Sequence, residues 1–186
     1  MPLVKHGRIV ADSYVRLADD APVAADGAVI VPALRFLADA DDFARRTAPT
    51  GVLWPNDRRI AELAPWLDRL ALVALVFPSF RDGRAYSQAR QLRERHGFRG
   101  ELRATGDVLR DQFLFLIRAG FDSLEVKKEA DAAAFAEAVG RYSVFYQPSA
   151  DGRAPIARRR LLSSPERNAA GVTQSACSTP AFADSD

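Results

Sequence analysis

The chain has 186 residues, 48% of them apolar, which supports one globular domain with a sizeable core, since a chain near 150 residues buries roughly 70% of its unfolded surface. Its formal charge is only +2, from 26 basic and 24 acidic residues, and aromatics make up 9%, which argues against a nucleic-acid-tracking surface. A single cysteine, Cys177, excludes an internal disulfide, a CxxC redox pair and an iron–sulfur cluster held by this chain alone, so any redox chemistry needs a borrowed cofactor, which the sequence does not identify.

Met1 to Val10 lacks the basic, apolar and small-residue order of a signal peptide, and no apolar run approaches the ~20 residues needed to cross a bilayer. The expected location is the cytoplasm, with no membrane partner. The residues that follow read as a strand or hairpin, with Ile9, Val10, Tyr14, Val15 and Leu17 as its apolar members. Such a piece adds an edge to a sheet or lids one end of it. A polar turn runs from Ala18 to Gly27.

From Ala28 onward strand and helix patterns alternate. Strands begin near Ala28, Gly51, Ala71, Glu101 and Ser123, each followed by a helical pattern, over 34–46, 57–70, 83–97, 107–120 and 130–142. The spacing fits short strands, crossover helices and tight loops. The predicted fold class is therefore α/β: successive β/α units forming a mainly parallel sheet flanked by helices, with right-handed crossovers. Five units fall short of the eight in a closed barrel, so an open sheet is expected, with a barrel completed by a second copy as the alternative.

Leu70 to Phe77 is apolar throughout, as a central strand covered by helices on both faces would be. Glu101 to Thr105 is shorter and more polar, which places it nearer an edge. Asn56 with Asp57, Asp82 with Gly83, and Thr105, Gly106 and Asp107 supply helix starts, and Gly97 and Gly120 supply stops. Pro65 should kink the second helix. The helix over 107–119 carries more apolar residues than one stripe requires, so it is either buried on most sides or meets a second copy in a homodimer. After Gln147 the composition shifts to Pro, Ser, Ala, Gly and Thr, with a solvated run at Arg158, Arg159 and Arg160. The predicted organisation is a single α/β domain over 1–147 and a disordered tail over 148–186.

Of the 26 basic residues 23 are arginine, and from Arg81 to Arg110 eight arginines stand against Asp82, Glu94, Glu101 and Asp107, a local net of +4. There is no dinucleotide fingerprint, P-loop, HExxH or GxSxG, and His6 and His96 are too few for a histidine metal cluster. The chemistry falls to groups at strand ends: Trp54, Asn56 and Asp57; Ser79, Arg81, Asp82, Arg84 and Tyr86; Arg103, Thr105, Asp107, Arg110 and Asp111. In a parallel sheet these share one rim, where helix N-termini add positive potential. The anion-binding candidates are Arg81, Arg84 and Arg103, which could fork oxyanion oxygens, with Ser79 and Thr105 as hydroxyl donors. Tyr86 would wall the pocket, and Asp82, Asp107 and Asp111 would orient the arginines. The competing reading is that these residues are helix caps and surface pairs worth ~0.3–0.5 kcal/mol each. His96 fits a helix C-terminus favoured by the dipole. Asp39, Asp41 and Asp42 fit a solvated cluster better than a metal site.

The run GRAYSQARQLRERHGFRGELRATGDVLRDQ at Gly83–Gln112, followed by the L.R.GFD..EV pattern at Leu116–Val126, resembles an uncharacterised proteobacterial family, a domain of unknown function described as an oxidoreductase involved in sulfite reduction. A weaker likeness covers about Ile9 to Gln147, with a G.V.VP start at Gly27–Pro32 and a closing VFYQ at Val144–Gln147. The resemblance implies a place in assimilatory sulfite reduction, as an accessory or partner of sulfite reductase or of another sulfur-assimilation protein. Its other implication is an oxidoreductase that binds an oxyanion or phosphate. The resemblance carries no catalytic residues with it. Motif and rim coincide at Arg81, Asp82, Arg84, Tyr86, Arg103, Gly106, Asp107, Arg110, Asp111 and Gln112.

Overall fold

The computed structural model describes residues 1–153 together with residues 155, 156 and 158. The N-terminal stretch forms β1 (Leu3–Lys5), β2 (Arg8–Val10) and β3 (Tyr14–Arg16). The repeats supply β4 (Ala28–Pro32), β5 (Thr50–Trp54), β6 (Leu72–Phe77), β7 (Glu101–Gly106) and β8 (Ser123–Glu125). All belong to one eight-stranded sheet ordered β2-β1-β8-β7-β6-β5-β4-β3. Strands β3 to β8 run parallel to their neighbours, and β1 pairs antiparallel with both β8 and β2.

That order forces the sheet to curl. In a flat sheet β2 and β3, at opposite edges, would lie ~34 Å apart at ~4.8 Å per strand spacing. Only Ala11, Asp12 and Ser13 join Val10 to Tyr14, a link that reaches at most ~14 Å when fully extended. The sheet must therefore roll until its edges approach. The N-terminal stretch supplies both edges, where the sequence suggested one edge or a lid, and its three strands carry the roll round within one chain.

The helices α1 (Ala33–Ala38), α2 (Ala40–Arg45), α3 (Arg84–Arg90), α4 (Phe113–Ala119) and α5 (Ala130–Gly140) follow their strands. Three of the predicted helices are broken for local reasons. The 34–46 pattern splits at Asp39, whose carbonyl accepts the amides of Asp42 and Phe43 and so starts α2 afresh. The 57–70 pattern becomes two short 3₁₀ helices, Ile60–Glu62 and Ala64–Arg69, with Pro65 in the first turn of the second, where its missing N–H costs least. The 107–120 pattern opens with a 3₁₀ turn, Arg110–Gln112, before α4.

Helices cover one face of the sheet. Val31, Val52, Trp54, Val73, Leu75, Phe77 and Leu102 pack there against Phe36, Phe43, Leu63, Leu92, Phe113 and Leu116 in the main core. The opposite face is the inside of the roll, where Ile30, Leu72 and Ala74 pack with Leu53 and Tyr14. Strand β6 is thus apolar throughout because one face meets helices and the other meets the rolled sheet, and not, as expected, because helices cover both.

Strand β7 is also relocated. It lies inside the sheet between β6 and β8, away from both edges. Its polar members Glu101, Arg103 and Thr105 alternate onto the inner face, as do Ser123 and Glu125 of β8. The N-terminal strands close over them: Lys5 pairs with Glu101 at 2.9 Å, Asp12 with Arg103 at 2.8 Å, and Arg16 with Glu125.

In α4 the surplus of apolar residues is mostly buried, with Phe113, Leu114 and Leu116 inside and Phe115 left 64% exposed. The segment expected to open a disordered tail is, over residues 148–153, bound to the end of that helix. The Arg118 carbonyl accepts from the Ala150 amide at 3.1 Å and from Ser149 Oγ, and the Arg118 guanidinium lies 3.9 Å from the Phe145 ring centroid. The rest of that expectation, Cys177 included, lies outside the described residues. Among the described residues no helix is long and apolar enough to cross a membrane.

Candidate functional site

The loops after β6 and β7 do open side by side, and they are tied together. The Asp107 amide donates to the Phe77 carbonyl at 2.8 Å, and the Phe80 amide donates to the Asp107 carboxylate at 3.0 Å. Lys127 donates to Asp107 at 2.6 Å, and Gln112 Nε2 donates to the Phe80 carbonyl at 3.1 Å. The Lys127 hydrogen bond, with that from the Phe80 amide, holds the Asp107 carboxyl below its usual range. Asp107 and Gln112 are loop pins.

The three anion candidates do not converge. Arg103, 1% exposed, is enclosed by Asp12, Glu101 and Glu125 and stacks on the Tyr14 ring at 5.4 Å. Thr105 accepts from Arg16 at 3.0 Å and donates to Glu125 at 2.7 Å. Arg81 lies over the Phe80 ring at 5.4 Å on the surface. Ser79 builds the turn, its carbonyl accepting the Asp82 amide at 3.0 Å. Arg110 pairs with Asp131. Tyr86 stands edge-on to Phe77 with ring centroids 5.2 Å apart. Burial, helped by the negative charge of Asp111, pushes its phenol up to about 12. Of the three anion candidates it is Arg84, paired with Asp82, that lines the groove considered next.

This groove of about 630 Å³ runs between the segment after β5 and the flank of α3, within the size range of small-molecule sites. One end, at Asn56 and Arg84, lies where β5 and β6 finish. The groove then follows the helix past Ser87, Gln88 and Gln91 to Arg95 and His96. Gln91–Arg95 form a π-turn continuing α3, with the His96 amide donating to the Gln91 carbonyl at 3.1 Å. Such widened turns are frequent at functional sites.

Four guanidinium groups line the groove: Arg58, Arg59, Arg84 and Arg95. Arg58 pairs with Glu62 at 2.6 Å and lies over Trp54 at 5.6 Å, and Arg84 pairs with Asp82 at 2.6 Å. Asp57, nearby and exposed, acts on Arg84 through space. Arg59 and Arg95 form no salt bridge among the described residues. The groove is net positive. Hydrogen bonds from Arg84 hold the Asp82 carboxyl well below the usual range, and that from Arg58 lowers Glu62. Both carboxylates therefore stay charged partners of arginine, unsuited to shuttling protons near neutral pH. What the arrangement offers a ligand is positive charge and several N–H donors.

The wall also contains polar atoms without partners. Gln88, 5% exposed, donates its Nε2 to the carbonyls of Pro55 at 3.0 Å and Arg58 at 2.8 Å. Those two acceptors fix the amide orientation and leave Oε1 with none of its hydrogen bonds made. Arg58 Nε is likewise unpaired. Asn56, 8% exposed, has its Nδ2 near Asp82 without a hydrogen bond of ordinary geometry. An orphaned buried polar group costs about 1–3 kcal/mol, and Gln88 Oε1 and Arg58 Nε are two of them beside this groove.

Sequence reasoning found Asn56, Asp82 and Arg84 and missed Arg58, Arg59, Gln88 and Arg95, while His96 was assigned to the helix dipole alone. The available signal was the spacing of Arg84, Gln88, Gln91 and Arg95, which puts one polar stripe along a helix. Asp39, Asp41 and Asp42 lie apart from this groove, Asp39 starting α2 and Asp42 pairing with exposed Arg45. Among the described residues no group of three or more His, Cys, Asp or Glu side chains is placed to hold a metal ion.

A family model described as a bacterial protein of unknown function (DUF934) matches residues 51–157, a span that holds the whole groove. No curated protein matches the chain.

Proposed function

We propose that this chain, which belongs to the DUF934 family of bacterial proteins, is a cytoplasmic anion-binding accessory of assimilatory sulfite reduction that works beside sulfite reductase or another sulfur-assimilation protein. The observation that carries the ligand chemistry is the arginine-lined groove with its unpartnered Gln88 and Arg58 atoms. The pathway rests on the resemblance of Gly83–Gln112 and Leu116–Val126. The accessory role is supported by Phe115. That side chain stands exposed between two shallow grooves, one shared with Arg110, Arg141 and Tyr142 and the other with Tyr86, Arg118 and Pro148, an aromatic and arginine composition enriched at protein interfaces.

The test has two arms. Sulfite, sulfate and phosphate should each raise the melting temperature as a mass-action effect, reaching about 2.7 kcal/mol at a hundredfold excess over Kd, and Arg84→Ala or Arg59→Ala should reduce the response. A flat response to all three removes the anion-binding function. Sulfite reductase should co-purify with the protein from cells grown on sulfate, and Phe115→Glu should lower its recovery. Equal recovery with the variant would exclude this ridge as the contact.

A further inference from the structure

We infer that the groove takes a nucleotide, an elongated phosphate ester that also bears hydroxyl or amino donors, in preference to a bare oxyanion. This deepens the anion-binding reading and rests on it.

Shape is the first argument. Arg84 and Arg95 are eleven residues apart on one continuous helical segment that ends in a π-turn, so their backbones are separated by about 16 Å at ~1.5 Å of rise per residue. A single tetrahedral anion is covered by one or two guanidinium forks and would occupy one end only. A ligand meeting both ends must be long, and about 630 Å³ is room enough for one.

Hydrogen-bond chemistry is the second. Arg58 Nε is a buried donor lacking an acceptor, the need that a phosphate or sulfate oxygen meets. Gln88 Oε1 is the opposite, an acceptor lacking a donor, and it cannot exchange roles with Nε2 because two backbone carbonyls hold that nitrogen. Sulfate and the sulfite dianion offer acceptors only, so they leave Gln88 Oε1 as it is. Gln88 Oε1 is closed off from solvent in this structure, so a ribose hydroxyl or a base amino group satisfies it with a movement of the groove wall. The planar guanidinium groups of Arg59 and Arg95, free of salt bridges among the described residues, can stack on a base face.

The experiment is isothermal titration of the full chain with AMP, ribose 5-phosphate and inorganic phosphate, repeated with Arg95→Ala and Gln88→Leu. AMP should bind at least tenfold more tightly than inorganic phosphate. Arg95→Ala, at an exposed position, should remove most of that advantage. Gln88→Leu should do the same, and if that variant unfolds the Arg95 variant alone decides. AMP no tighter than phosphate, ribose 5-phosphate equal to AMP, or an Arg95→Ala protein that binds AMP like the parent would each overturn the nucleotide inference while leaving the anion site standing. Absence of binding by all three compounds would remove both.

Discussion

Gly106 fixes the relation between the two loops that carry the rim. Its φ is +96°, and a Cβ added there would sit 2.4 Å from the Phe77 carbonyl oxygen and 3.1 Å from the Phe77 carbonyl carbon. Those are backbone atoms of a buried strand, with no rotamer to yield. The same carbonyl accepts the Asp107 amide at 2.8 Å, so relief of the clash breaks the pin that holds the loop leading to Arg84. Gly106→Ala should cost about 2–4 kcal/mol, from ~1–2 kcal/mol of left-handed backbone penalty plus the steric displacement, with urea denaturation as the measure. Arg81→Ala should change stability by less than about 0.5 kcal/mol, since an exposed arginine resting on an exposed ring holds nothing in place. A Gly106→Ala protein as stable as the parent would mean that the approach to Phe77 is not tight.

At the scale of elements, β7 and the N-terminal strands make an electrostatic joint, buried on the β7 and β8 side and half-exposed on the N-terminal side. Lys5, Arg16 and Arg103 face Asp12, Glu101 and Glu125, three charges of each sign. Removing Glu101 takes one carboxylate from the buried Arg103 and the partner from Lys5, at about 3 kcal/mol, the low end for breaking a buried pair. Burial alone would raise the Glu101 carboxyl, but hydrogen bonds from Ser123 and Lys5 and the charge of Arg103 more than offset it and lower it from 4.5. Because the folded-state value lies below the unfolded one, unfolding takes up a proton in acid. The stabilisation from Glu101 is complete above pH 4.5 and is lost as pH falls through the folded-state value. Glu101→Gln should therefore be about 3 kcal/mol less stable than the parent at neutral pH, with the gap closing in acid as the parent's carboxyl protonates. A gap that stays constant down to about pH 3 would exclude Glu101 as the titrating group. This joint also shows what the sequence could disclose. The β/α alternation, the parallel pairing and the stops at Gly97 and Gly120 were legible because they depend on local period and turn chemistry. The alternating polar residues of β7 resembled an edge strand because their partners Lys5, Asp12 and Arg16 lie far away in the chain. The groove was half legible for the same reason: Asn56 and Arg84 stand at strand ends, whereas the Gln88 oxygen is left unpaired because Pro55 and Arg58, distant in the chain, hold its nitrogen.

For the molecule as a whole, the family match and the folding unit are not the same length. Residues 51–157 contain β5 from its second residue, β6 to β8 and the groove, but none of β1 to β4. Without those strands β5 loses its pairing with β4, β8 loses β1, and the inner face exposes Leu72 and Ala74 while Glu101, Arg103 and Glu125 lose their N-terminal partners. An open sheet with two bare parallel edges and an uncovered face is a poor folding unit, because parallel sheets persist when both faces are covered and edges are protected. A fragment spanning 51–157 should therefore show no cooperative thermal transition by circular dichroism, whereas the full chain shows one, and the fragment should bind phosphate only when the N-terminal residues are restored. A fragment that melts cooperatively and binds phosphate on its own would mean that the roll of the sheet is dispensable and that β1 to β4 serve another purpose than completing the core.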